Sequence, residues 1–166
     1  MSTIVTTGSS LKSTNIPAAF LETALLLDAG EKARNGANPG IAPKNNVTIS
    51  LGVDEGVANI TATLPADTTV SATGINYNAK DYLGGSYAAF TAGGDVTSTS
   101  TMDALVQVGS ILAAAEKTIQ PVEDQPNNIQ IESSSENGTI TITAALPVTA
   151  TVNTDGTVKF TAIDYL

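Results

Sequence analysis

Two hydrophobic periodicities alternate along the chain, and each occurs twice. Ile16, Phe20, Ala24 and Leu27 recur at the three-four spacing of a helix face, as do Leu105, Val108, Leu112, Ala115 and Ile119. After each helical stretch the period drops to two. Val47, Ile49 and Leu51 mark a short strand, with Ile129 and Ile131 as the later counterpart. A longer run then places apolar side chains at Ala58, Ile60, Ala62, Leu64, Ala66, Val70 and Ala72. Its later equivalent reads Ile140, Ile142, Ala144, Leu146, Val148, Ala150 and Val152. Ile75, Tyr77, Ala79 and Val158, Phe160, Ala162 supply a final strand each.

The punctuation agrees with this pattern. Asn15 or Ile16 opens the first helix, with Pro17 in the first turn, where a missing N–H costs nothing. Ser100 and Asp103 have capping-box spacing before the second, with Asp replacing the usual Glu. Leu21, Leu25 and Leu26 widen the first helix's apolar stripe, which predicts a sheet on one side and another helix or subunit on the other. Pro65 and Pro147 take outward positions without breaking the alternation, so each long run predicts one strand bent or bulged at its proline rather than two strands and a tight turn. Asn137-Gly138 and Asp155-Gly156 are hairpin dipeptides suited to positive φ at both positions.

The halves are also alike residue by residue. A shift of 82 places Asn45-Asn46 on Asn127-Asn128, Ile60-Thr61-Ala62 on Ile142-Thr143-Ala144, and Leu64-Pro65 on Leu146-Pro147; 12 of the 30 positions from 45 to 74 are identical without a gap. A shift of 83 matches Asp81-Tyr82-Leu83 with Asp164-Tyr165-Leu166, and one of 85 matches Glu31-Lys32 with Glu116-Lys117. The pattern predicts an α+β fold in a single domain of two α-β-β-β repeats, 1–83 and 86–166, joined near Gly84-Gly85. The expected architecture is pseudo-twofold, an antiparallel sheet of about six strands with two helices packed on one face. Half the chain buries too little surface to stand alone, so the repeats should share one core.

Composition narrows the chemistry. The chain of 166 residues has no Cys and no His. Disulfides, thiolate metal sites, thiol nucleophiles and the Ser-His-Asp triad are thereby excluded. Thr and Ala fill 47 positions, and 16 acidic against 7 basic residues give a net charge of −9. Net charge is −2 over residues 1–83 and −7 over 84–166, and the bases are scattered, which speaks against nucleic acid. Met1–Ser10 lacks the basic start and apolar stretch of a signal peptide, and Ile16–Ala29 is too short and too polar to span a bilayer. The expectation is a cytoplasmic protein without membrane contact.

The repeated Asp81, Tyr82 and Asp164, Tyr165 are the candidate site residues. Two carboxylates brought together at a twofold axis would share a proton and perform acid–base work. The alternative is structural, with Asp ending the strand and Tyr capping the core. Glu31-Lys32 and Glu116-Lys117 fit a structural role near the helix ends, and the two Asn pairs fit turn formation with nearby backbone. Asn153 to Gly156 resembles part of a calcium loop, but Thr151 stands where an acid is needed, and a hairpin turn fits better. No motif for a metal, cofactor or phosphate is present. The sequence supports a non-catalytic structural or interaction protein of bacterial or phage origin, forming a homo-oligomer such as a dimer through helix 1 or a sheet edge. The alternative is a binder of a small apolar ligand between helices and sheet, with room left by Ala58, Ala62, Ala66, Ala144 and Ala150. A carboxylate enzyme centred on Asp81 and Asp164 ranks behind both.

Overall fold

A computed structural model describes residues 3–51, 56–119, 123 and 125–166; positions 52–55 of the repeated block lie outside the described residues. The elements run α1 (Ile16–Ala37), β1 (Val47–Leu51), β2 (Val57–Ser71), β3 (Gly74–Ala79), a short 3-10 helix (Gly85–Ala88), α2 (Thr101–Lys117), β4 (Ile129–Ser134), β5 (Thr139–Val152) and β6 (Val158–Ala162). All strand pairs are antiparallel, in the order β1-β2-β5-β4, with β3 added beside β2 and β6 beside β5.

Local chemistry fixes the helix ends. Asn15 Oδ1 accepts from the Ala18 amide at 2.8 Å and Ser100 Oγ from the Asp103 amide at 3.2 Å, so each helix has a side-chain N-cap. The first apolar stripe buries Ile16, Phe20, Ala24 and Leu27, and the second buries Leu105, Val108 and Leu112. The two helices pack together on one face of the sheet, while Leu25 of the wide α1 stripe stays exposed. Gly109 permits their close approach, because a methyl there would sit 3.1 Å from Phe20 Cε2.

The central strands alternate as the sequence predicts, with Ala58, Ile60, Ala62 and Leu64 buried and Asn59, Thr61 and Thr63 exposed. Both long runs are single strands through their prolines. Neither is bulged, for the register is continuous from Val57↔Pro147 to Pro65↔Thr139 and again from Ala66↔Ala79. The proline instead marks a change of partner. On the outer edge of β2, the Thr63 amide donates to Asn46 O and the Pro65 carbonyl accepts from the Lys80 amide. The donor that Pro65 lacks would fall between the start of β1 and the end of β3, where no acceptor is required. Pro147 repeats this between Asn128 and Ile163.

Past Ala66 and Val148, which are still buried just after the prolines, the inward phase no longer means burial. Val70 is 79% and Val152 is 65% exposed, and Ala72 and Ala150 are exposed too, because β2–β3 and β5–β6 continue as two-stranded arms past the helix layer. The hairpin dipeptides also differ from expectation. Only Gly138 (φ 63°) and Gly156 (φ 89°) take positive φ, since each occupies the last part of a longer loop whose Asn or Asp keeps negative φ. Gly84 and Gly85, at the expected joint, both have positive φ and lead into the 3-10 helix.

Gly30 in α1 lies against that 3-10 helix, and a methyl there would run into the Tyr87 carbonyl oxygen. Gly30→Ala is therefore expected to destabilise the protein by about 1–3 kcal/mol, although alanine is the better helix former. Gly36→Ala, on open helix surface, should instead stabilise by about 0.5 kcal/mol. Urea unfolding of both variants checks the sign, and a gain at Gly30 would contradict this packing.

Candidate functional site

The most constrained polar groups are two buried carboxylates, each in the last turns of its helix. Glu31 is 3% exposed. Its Oε2 accepts from the Asn46 amide at 2.7 Å and the Tyr82 hydroxyl at 2.8 Å, and its Oε1 from the Val47 amide at 3.2 Å. Glu116, equally buried, accepts from the Asn128 amide at 2.9 Å, the Tyr165 hydroxyl at 2.6 Å and the Ile129 amide at 3.4 Å. Each carboxylate thus joins a helix end, the start of a short strand and the tyrosine that follows an arm. The returning chain is guided to Glu31 by Asn35, whose side chain brackets the Lys44 amide and carbonyl, each at 2.8 Å. Gln125 holds the other return by donating to the carbonyls of Lys117 and Ile119.

The candidate residues are therefore split between two places. Tyr82 and Tyr165 are tied to the glutamates. Burial, first, and then the bond to Glu31 raise the Tyr82 hydroxyl well above its ordinary pKa of 10.0; burial and Glu116 do the same for Tyr165. Such hydroxyls stay protonated as donors. Asp81 turns back on its own chain, its Oδ1 accepting from the amides of Leu83 at 3.0 Å and Gly84 at 2.8 Å. Asp164 Oδ1 likewise accepts from the Leu166 amide at 3.2 Å.

The two aspartates are not brought together. Asp81 follows the residue bonded to Pro65, and Asp164 follows the one bonded to Pro147. Those prolines are separated by the Val57-to-Pro65 length of β2, about 26 Å for the usual strand rise. The central strands are antiparallel, so equivalent points fall at opposite ends of the sheet rather than at its axis.

The asparagines have a longer reach than turn formation implies. Asn46 Nδ2 donates to Thr63 O and Asn128 Nδ2 to Ala145 O, each 17 residues away and at 2.9 Å, closing the sheet edge beyond the short strand. A further pair of clamps escaped the sequence reading. Glu22 accepts from the Lys12 and Ser13 amides and from Ser13 Oγ, while Gln107 Oε1 accepts from the Thr97 and Ser98 amides and from Ser98 Oγ. The shift of 85 that pairs Glu31 with Glu116 also pairs these two, and that was the signal available.

Two surfaces remain uncommitted to such internal bonds. One is the apolar face of the arms, where Val70 lies opposite Ile75 and Val152 opposite Val158, all four exposed. The other is an open cleft of about 660 Å³ between α1 and β6, with Leu21, Leu25, Val158 and Phe160 in its wall and Lys12 and Lys159 among its polar groups. Of the small residues Ala58, Ala62, Ala66, Ala144 and Ala150, the first four are buried with the core and Ala150 is exposed. Among the described residues, no group of three or more His, Cys, Asp or Glu is placed to hold a metal ion. No helix among them is long and apolar enough to cross a membrane. No protein-family model, curated protein or solved structure matches the chain.

The tyrosine bonds give a pH dependence. A raised folded-state pKa means that the native protein keeps its phenolic protons where the unfolded chain has lost them. The stabilisation is complete below pH 10 and declines as pH rises beyond it. Tyr82→Phe and Tyr165→Phe should each cost about 1–2 kcal/mol at neutral pH. The double variant should also lose much of the decline in Tm between pH 9.5 and 11 that the wild type shows, roughly the interval around an unperturbed phenol. An unchanged decline would assign it to other groups.

Proposed function

We propose that this chain is a non-catalytic structural or interaction protein that self-associates, built from two α-β-β-β units sharing one core. The carrying observation is the pair of arms, in which β2–β3 and β5–β6 run on past their prolines and end in exposed aliphatic pairs. Among the described residues no third strand pairs with either arm beyond the junction. Free edges beside an apolar face are what another chain can pair with or cover. The duplication rests on the identities at a shift of 82 and on the paired carboxylate clamps, which need the same residue types at the same places twice.

A second reading, binding of a small apolar ligand between helix and sheet, is favoured by the cleft beside α1. It leaves Val70, Ile75 and Val152 free and shares only Val158 with the arm tips.

Native mass spectrometry and light scattering over a concentration series test the assembly. The expected species is a dimer or larger. Val70→Lys with Val152→Lys should shift it toward monomer while changing Tm little, since both positions are highly exposed. A wild type that stays monomeric at high micromolar concentration would overturn the proposal.

A further inference from the structure

The cleft between α1 and β6 has a counterpart in the same chain. Tyr77 and Asn78 of β3 face α2 residues Val106, Gln107 and Ser110 across a groove of about 510 Å³. The sequence shifts pair the two linings, placing Leu21 with Val106, Glu22 with Gln107, Phe160 with Tyr77 and Thr161 with Asn78. The two grooves share one construction, so their differences isolate what is special to one of them.

Three differences bear on chemistry. Leu25 becomes Ser110, Lys12 becomes Thr97 and Lys159 becomes Asn76. The α1 cleft therefore carries more apolar wall and two lysines, whereas the other carries Asp103 and no cation. Neither Lys12 nor Lys159 forms an ion pair among the described residues, where the pairs are Lys32–Asp28 and Lys80–Asp67. Glu22 also lines the cleft, but both its oxygens are bonded to the Lys12–Ser13 backbone and to Ser13 Oγ. Two cations and one engaged carboxylate thus line this cleft on a protein of net charge −9.

We infer that the α1–β6 cleft binds a monomeric anionic amphiphile, an alkyl chain bearing a carboxylate. The alkyl chain lies against Leu21, Leu25, Val158 and Phe160, and the headgroup meets Lys12 and Lys159. The volume is in the range of small-molecule sites, and the apolar wall supplies affinity while the ammonium groups select charge. This inference rests on the second reading above and adds the headgroup to it.

The test is isothermal titration of the full chain with decanoate, decanol and decyltrimethylammonium, each below its micelle concentration. Saturable decanoate binding is expected, with decanol weaker and the cation weakest. The variant carrying Lys12→Thr, Leu25→Ser and Lys159→Asn gives this cleft the residues of its counterpart. It changes only exposed positions and should bind decanoate about tenfold less tightly. Equal binding of decanol and decanoate would overturn the headgroup assignment and leave an apolar binder. Failure of all three to bind would overturn both. Unchanged affinity in the triple variant would overturn the location, and association with phosphatidylglycerol vesicles without decanoate binding would replace the monomeric ligand by a membrane surface.

Discussion

Everything else in the architecture hangs on a buried carboxylate that forms no ion pair among the described residues. Removing a carboxylate from water is costly unless its oxygens are supplied with donors. Glu31 meets that demand with two successive backbone amides and one phenol, and Glu116 does the same. The amide pair and the phenol come from two chain segments far apart in sequence. The requirement therefore fixes at once where β1 and β4 begin against the helices and where the chain emerges after each arm. Charge-assisted bonds of this kind are directional, whereas the apolar contacts around them tolerate sliding.

That constraint explains why the long strands can serve two structures. Anchored at both flanks, β2 pairs with β1 and β5 inside the layered core, then exchanges β1 for β3 at Pro65. A residue with no amide is well placed at such a junction, because a normal residue would leave a donor facing the gap. The arm beyond it keeps the sheet's inward parity but has no helix above its end. Apolar side chains that are core in the first half of β2 become surface in the second without any change in pattern.

The same point marks what the sequence made legible and what it did not. Helix positions, strand parity and the continuity through Pro65 follow from local spacing, which is a property of the backbone repeat. Whether Val70 is covered depends on the length of α2 relative to β2, a tertiary quantity with no local trace. Pairing of Asp81 and Asp164 was conceivable from recurrence alone, but recurrence says only that two residues are alike, not how far they lie from an axis. Antiparallel β2 and β5 send their ends in opposite directions, and the aspartates go with them. The Glu–Tyr link was present in the sequence as joint recurrence: Glu31 with Tyr82 and Glu116 with Tyr165. It was obscured because the two members lie 51 and 49 residues apart and belong to different patterns.

The residue-by-residue likeness of the two halves also gives the surface an argument of its own. Where two equivalent places must do the same structural work, their residues stay alike, as the carboxylate clamps do. Where they differ, folding did not require either choice. Leu25 and Ser110 stand at matching points of two helices in one protein, one turned toward a cleft with lysines and the other toward a groove with Asp103. Helix propensity does not select leucine for that exposed position over other good helix formers, and α2 holds the same place with serine. The difference therefore lies at the surface, where the two halves meet their surroundings, and not in the core they share.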